Sequence, residues 1–140
     1  MVQTEVIRSK LESIREMLAI LRRHQKKSLE DFLADRDSQL AVEHALLVAI
    51  QSLLDLGSHL LADREVRNIS DYRDVILKLG QVKILPAFFS ESIAEMAGFR
   101  NRLIHEYQEI DPRKVHQFLQ ARLQDFEDFI RYIRDHFRLS

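Results

Sequence analysis

The 140-residue sequence contains no cysteine, only three glycines and two prolines, and no excess of charge of either sign. The absence of cysteine excludes a disulfide scaffold, a cysteine-ligated zinc or iron–sulfur site and a thiol nucleophile. So few glycines and prolines cannot supply the closely spaced turns of a β-sandwich or β-barrel. Because 21 basic residues face 22 acidic ones, a nucleic acid would have to be held by a local patch rather than by the overall field.

The sequence also lacks the patterns of a signal peptide and of a membrane span. The first residues include Glu5 and no apolar run, unlike a signal peptide. In the most apolar stretch, 40–61, the uncharged run between Glu43 and Asp55 has only 11 residues, against the roughly 20 that a span requires. We therefore expect a cytoplasmic protein without membrane association.

Hydrophobic residues make up 46% of the chain and charged residues 31%, which is enough apolar material for one folded domain over residues 1–140. Apolar residues recur every three to four positions, as on one face of a helix. The pattern predicts an all-α protein, a compact bundle of about five helices with short connections. The predicted helical segments are 4–24, a short turn at 29–33, 39–62, 71–80, 86–107 and 112–137. The phenylalanines of the last segment lie in a regular stripe and are expected in the core rather than on a base-stacking platform.

The segment 39–62 carries apolar residues on far more than one face, so it must be buried on several sides. Two explanations remain open. A homodimer interface would cover the second side, which is the explanation we favour, or the segment is the central core helix of a monomeric bundle.

The segment 86–107 contains an arginine where its pattern predicts burial. At about 100° per residue, Arg100 falls in the middle of the apolar stripe that includes Ile93, Met96 and Leu103. A guanidinium cannot lose its charge to ease burial. Arg100 therefore either reaches solvent or pairs with a core carboxylate, which would be a structural role, or it faces a cleft.

Two further polar residues lie on the shoulder of the same segment. Asn101 and His105 are one turn apart, whereas Arg100 and His105 are offset by about 140°, so a straight helix does not direct both at one atom. Either the helix ends or bends near His105, or a second subunit completes the site. Gly98 is a poor residue inside a helix, costing about 1 kcal/mol relative to alanine, and could permit the close approach of another backbone.

Other catalytic patterns are weak. The histidines show no metal-ligand spacing, and the stretch that begins at His105 has Glu109 where an H-E-x-x-H motif needs its second histidine. The sequence also lacks a glycine-rich phosphate loop. We expect neither a metal site nor a cofactor.

The string G-F-R-N-R-L-I-H-E-Y at 98–107, followed by I-D-P at 110–112, resembles the R-x4-H-x-Y motif of the HEPN superfamily, and specifically of the HepT toxins. The similarity extends to the helix 41–62 and to the segment 71–73, and so covers most of the chain. It implies a HEPN-like helical fold and a homodimer in which two motifs face one another across a cleft.

The resemblance also implies a function. The chain would be an RNA-cleaving toxin with tRNA or mRNA as substrate, paired with a nucleotidyltransferase antitoxin of the MNT type that transfers AMP to Tyr107. Arg100 and His105 would be catalytic, because an arginine can stabilise a phosphorane and a histidine can exchange the proton of the 2′-hydroxyl. Asn101 would orient the phosphate or the histidine, and Arg102 would contact the substrate backbone or be a surface charge.

A second function of a different class stays open. A catalytically silent helical module could bind the nucleotidyltransferase, or a nucleotide, and use the arginine and the histidine only as ligands. The two functions differ in whether expression alone stops growth and whether His105→Ala relieves the arrest.

Overall fold

The computed structural model describes residues 3–106 and 109–139, and within these ranges the chain consists of helices and their connections. The all-α class predicted from the sequence is confirmed, with more segments than the five or so expected. The described residues form eight helices: α1 (Thr4–Gln25), α2 (Leu29–Leu33), α3 (Arg36–Asp63), α4 (Tyr72–Gln81), α5 (Ala87–Ile93), α6 (Met96–His105), α7 (Pro112–Ala121) and α8 (Leu123–His136).

Short polar side chains begin four of these helices. Each accepts a hydrogen bond from a backbone N–H of the first turn, which otherwise has no partner, and such caps contribute about 1 kcal/mol each. The capping residues are Ser28 for α2 (3.1 Å), Asp35 for α3 (3.1 Å), Asp71 for α4 (2.8 Å) and Asp111 for α7 (2.9 Å).

Helix α3 is the centre of the fold. It packs against α1, α2, α4, α6 and α7, and residues from all of its turns are buried in the single chain. Of the two explanations for its apolar surface, the central core helix is the one that the structure shows, so this surface no longer requires a homodimer. By length and composition alone α3 could cross a membrane, but 61% of its most apolar window is buried inside the protein, which accounts for its composition.

Each of the two helices predicted after residue 85 is interrupted in the structure. The segment 86–107 breaks at Ala94 and Glu95, and the segment 112–137 breaks at Arg122. One side chain links both breaks, because the guanidinium of Arg122 donates to the Ser92 carbonyl at 2.9 Å and pairs with Glu95. In a continuous helix the Ser92 carbonyl would accept from the backbone four residues on. The prediction of two uninterrupted helices was therefore wrong.

Three of the four phenylalanines in the segment 112–137 are core residues, as predicted, and Phe137 is partly buried against the core. Phe126 and Phe129 are fully buried and Phe118 is nearly so, with Phe118 stacked on Phe99 of α6 at 4.3 Å between ring centres. This stack attaches α6 to α7 and fixes the position of the segment that carries Arg100.

Two glycines allow helices to approach closely. A Cβ at Gly57 of α3 would lie 2.9 Å from Val75 of α4, and a Cβ at Gly80 of α4 would lie 2.7 Å from the Cβ of Ser90. Both distances are too short for any other residue without a shift of the neighbouring helix. These glycines therefore set the distances between α3, α4 and α5.

Candidate active site

Arg100 lies on α6, and residues of α3 and α4 contact its guanidinium. Its Nε donates a hydrogen bond to Oε1 of Gln51 on α3 at 2.9 Å, and the guanidinium carbon lies 4.9 Å from the centre of the Tyr72 ring at the start of α4. The second contact has cation–π geometry. Arg100 is half-buried, and within the described part of the chain it forms no ion pair. An amide and an aromatic ring, rather than a core carboxylate, hold this arginine.

Further contacts orient Gln51. Its Nε2 donates to Oδ1 of Asp55 at 2.8 Å and approaches the Tyr72 hydroxyl at 3.4 Å. Asp55 also forms an ion pair with Lys10 of α1, at 3.6 Å between nitrogen and oxygen. Because the amide NH2 is directed at a carboxylate, the amide oxygen faces Arg100. Four helices thus contribute to the position of one guanidinium.

Asn101 contacts Arg100 directly. Its Oδ1 accepts a hydrogen bond from Nη1 of Arg100 at 3.0 Å, and its side chain is exposed. A guanidinium has five N–H donors, of which the contacts among described residues use two. Three donors remain to bind an anion such as a phosphate.

Arg102 is exposed, and its guanidinium carbon lies 5.3 Å from the centre of the Phe99 ring. It forms no ion pair with any residue that the structure describes. The phenylalanine is buried and stacked in the core, so Arg102 sits over an apolar surface with its charge uncompensated.

His105 is the last residue of α6 and is exposed. The sequence required either a helix end near this residue or a second subunit, and the structure shows the helix end. In the described ranges no hydrogen bond joins His105 to Asn101, so the contact of Asn101 with Arg100 is the orienting interaction that the fold provides. Tyr107, the proposed modification site, lies outside the described residues.

Gln51 and Tyr72 are site residues to which the sequence assigned no role, although Tyr72 lies in the segment 71–73 that shares the family resemblance. A weak signal existed for Gln51, which is a polar residue within the uncharged apolar run of residues 44–54. Within residues 3–106 and 109–139, no group of three or more histidine, aspartate or glutamate side chains could hold a metal ion.

The arrangement suits phosphate chemistry. A permanently charged, oriented guanidinium with free donors can stabilise the charge that develops on a phosphorane. An exposed imidazole five residues further along the same helix can accept or donate a proton in such a reaction.

Comparisons with known proteins agree with this chemistry. The chain matches the family described as Ribonuclease HepT-like over residues 8–133. It is 30% identical to a tRNA nuclease HepT of Aphanizomenon flos-aquae (strain 2012/KM1/D3) over 135 residues, which cover 96% of this chain and 92% of the relative. It is 29% identical to an mRNA nuclease HepT of Shewanella oneidensis over 84 residues, covering 60% of this chain and 63% of that protein.

A solved structure has the same fold. The tri-AMPylated HEPN toxin of Shewanella oneidensis, in complex with its MNT antitoxin, superimposes with a TM-score of 0.85 and 24% identity, covering 95% of this chain and 99% of that one. The family match spans most of the sequence, and the all-helical fold and the surface arginine are consistent with it. The chain therefore belongs to the HepT-like family of ribonucleases.

Proposed function

We propose that this chain is the toxin of a toxin–antitoxin pair, a metal-independent endoribonuclease that cleaves tRNA or mRNA with Arg100 and His105. The observation that carries the proposal is the position of Arg100. Contacts with α3, α4 and Asn101 hold its guanidinium at the surface, and they use two of its five N–H donors. The curated relatives are described as tRNA and mRNA nucleases. We also propose that residues 1–140 act as one domain in the cytoplasm.

The proposed reaction uses the RNA's own 2′-hydroxyl. His105 removes the proton of this hydroxyl, its oxygen attacks the adjacent phosphorus, and the bond from phosphorus to the 5′-oxygen breaks. The departing 5′-oxygen takes up a proton from the protonated His105 or from water, which leaves a 2′,3′-cyclic phosphate and a 5′-hydroxyl. Arg100 neutralises the extra negative charge of the phosphorane, Asn101 maintains the guanidinium orientation, and Arg102 binds the substrate backbone.

The decisive test compares Arg100→Ala and His105→Ala with the native protein on single-stranded RNA. Both variants should lose cleavage and stay folded, because Arg100 is only half-buried and His105 is exposed. His44→Ala, which alters another exposed histidine, serves as the matched control and should cleave normally.

Native products should end in 2′,3′-cyclic phosphate, and EDTA should not inhibit their formation. Undiminished cleavage by His105→Ala, or complete inhibition by EDTA, would refute the general-base role. If the native protein binds RNA or its antitoxin without cleaving, the catalytically silent module is the better description.

We propose further that the active form is a homodimer in which two copies bring their Arg100 and His105 residues to one cleft. Since α3 is already covered within one chain, this proposal rests on family resemblance and not on an uncovered apolar helix. Sedimentation velocity at micromolar concentration should show a dimer. A monomer that cleaves RNA would contradict the composite site.

Control by a nucleotidyltransferase of the MNT type completes the proposal. The solved HEPN toxin is described as tri-AMPylated and bound to an MNT antitoxin. We propose that the cognate antitoxin transfers AMP to Tyr107, where the added phosphate would compete with RNA for the guanidinium of Arg100. Intact-mass spectrometry after co-expression should show additions of about 329 Da each, and Tyr107→Phe should prevent them. A neutralised but unmodified toxin would mean that binding alone inhibits.

A further inference from the structure

A cleft of about 840 Å³ opens beside Arg100, between the segment that leads into α4 and the turn from α5 to α6. Its buried lining is small and apolar and includes Ala94 and Ala97. Its exposed lining is polar and includes Arg73, Asn101 and Arg102. The volume falls within the range of roughly 300–1,000 Å³ that is typical of small-molecule sites.

Two residues of this lining touch Arg100. Tyr72 lies under its guanidinium, and Asn101 accepts a hydrogen bond from it. A ligand in the cleft is therefore separated from Arg100 by a single side chain. The cleft therefore borders two residues that orient Arg100.

The lining of the cleft carries two arginines and two acidic residues. Asp71 caps α4 by accepting from the Asp74 backbone at 2.8 Å, and Glu95 pairs with Arg122, which also pairs with Asp125. Arg73 forms no ion pair or hydrogen bond with any residue in the described ranges, and Arg102 contacts only the ring of Phe99 there. Two guanidiniums without carboxylate partners favour an anionic ligand.

Gly98 keeps the cleft open. A Cβ built on this residue meets no atom within 4 Å, in contrast to Gly57 and Gly80, whose places are fixed by close neighbours. No packing contact among the described residues therefore requires a glycine at position 98, even though glycine destabilises a helix relative to alanine. A larger side chain at this position would occupy space in the cleft without disturbing the fold.

We propose that this cleft holds one nucleotide of the RNA strand, next to the phosphate that Arg100 engages. The proposal rests on the proposed ribonuclease function and adds the substrate-binding subsite. A flat base can lie against the small apolar lining, and the phosphate of the same nucleotide can bind Arg73 or Arg102. A second copy that closed the cleft would have to bring acidic residues to these two arginines, because a buried charge needs a partner.

The test measures binding without cleavage. The probe is a fluorescein-labelled, single-stranded 2′-O-methyl RNA of about ten nucleotides, which cannot be cut because it has no free 2′-hydroxyl. Gly98→Leu should raise the dissociation constant at least tenfold, and Gly98→Ala, which fills less of the cleft, should raise it by a smaller factor. Arg73→Gln should raise it severalfold and reduce the slope of log K against log salt by about 0.7, the loss expected for one phosphate contact with a single strand. Arg8→Gln, on α1 and outside the cleft, is the control and should change neither.

The outcomes separate this inference from the proposed function. Native protein that binds the probe but leaves unmodified RNA intact would refute the ribonuclease function and retain the nucleotide site. Unchanged affinity of both Gly98→Leu and Arg73→Gln, with native cleavage intact, would overturn the nucleotide site alone. A change of oligomeric state in Gly98→Leu, measured by sedimentation velocity, would show that the cleft receives a second copy and would also overturn it.

Discussion

Gln51 offers the most direct test of how the fold prepares Arg100. Its amide oxygen accepts from Nε of Arg100 at 2.9 Å, and its amide nitrogen is directed at Asp55 at 2.8 Å. Gln51→Leu preserves the approximate volume of this half-buried side chain and removes these two hydrogen bonds together with the longer one to the Tyr72 hydroxyl at 3.4 Å. The guanidinium then keeps its charge but loses the contact that fixes its direction.

The expected effect is on turnover. A hydrogen bond to a charged group contributes about 1.5–3 kcal/mol. If all of this free energy stabilises the transition state, its loss lowers kcat by roughly 10- to 150-fold, since about 1.4 kcal/mol corresponds to a factor of ten. The free energy of unfolding should change little, because Arg100 is partly exposed and water can replace the lost acceptor, while Asp55 retains its ion pair with Lys10.

Single-turnover cleavage with enzyme in excess measures the effect. Gln124→Leu is the matched control, because Gln124 also donates to an aspartate four residues on, Asp128 at 3.1 Å, on α8 and away from Arg100. Since Gln51 acts through Arg100, Gln51→Leu should have no further effect in an Arg100→Ala background. An equal additional loss in that background, or normal turnover in the single variant, would show that the positioning argument is incorrect.

Three further expectations concern stability, each measured by chemical denaturation. Gly98→Ala should raise the free energy of unfolding by about 1 kcal/mol, because its Cβ meets no atom, whereas Gly57→Ala should lower it because its Cβ is forced against α4; equal effects would contradict the packing difference. Burial raises the pKa of Glu43, against the opposing effect of a nearby arginine, so its charged form is disfavoured in the folded state and stability is lost as pH rises through the raised pKa. Glu43→Gln should therefore be more stable than the native protein at pH 7, and this advantage should narrow at pH 4. Burial, and then the charge of Arg64, lower the pKa of His136, so the native protein should lose stability as pH falls below about 6.5, and His136→Gln should lose less over the same range.

The helical class and most helix positions could be predicted because they depend on local rules. Apolar spacing placed α1, α3 and α4 within a few residues of their observed limits. The predicted segment starts at residues 71 and 112 agree with the observed starts of α4 at Tyr72 and of α7 at Pro112. Each of these signals comes from residues of the helix itself or directly beside it, so it can be recognised in the sequence without knowledge of the fold.

The interruptions at residues 94–95 and at Arg122 could not be predicted in this way. Neither break contains a glycine or a proline, and the residues on both sides continue the apolar pattern. The guanidinium of Arg122 reaches the Ser92 carbonyl and Glu95 from 27 or more positions away in sequence. A periodicity argument has no information about such a contact, because it is tertiary.

The same distinction between local and tertiary information applies to the residues of the candidate site. Arg100 was visible in the sequence because a permanent charge among apolar neighbours is costly wherever the rest of the chain lies. Gln51 and Tyr72 were not, because an amide and a ring on other helices become relevant only when the fold brings them to the guanidinium.

The three glycines extend this argument. In the sequence Gly57 and Gly98 each interrupt a helical pattern at the same cost, whereas Gly80 ends one. Only the structure separates the two that a neighbouring helix requires from the one that faces open space beside Arg100. Gly98 lowers helix stability, and no contact within the described chain requires glycine there, so we expect a ligand beside it. For that reason a substitution of Gly98, rather than of a charged residue, is the best test of the nucleotide site.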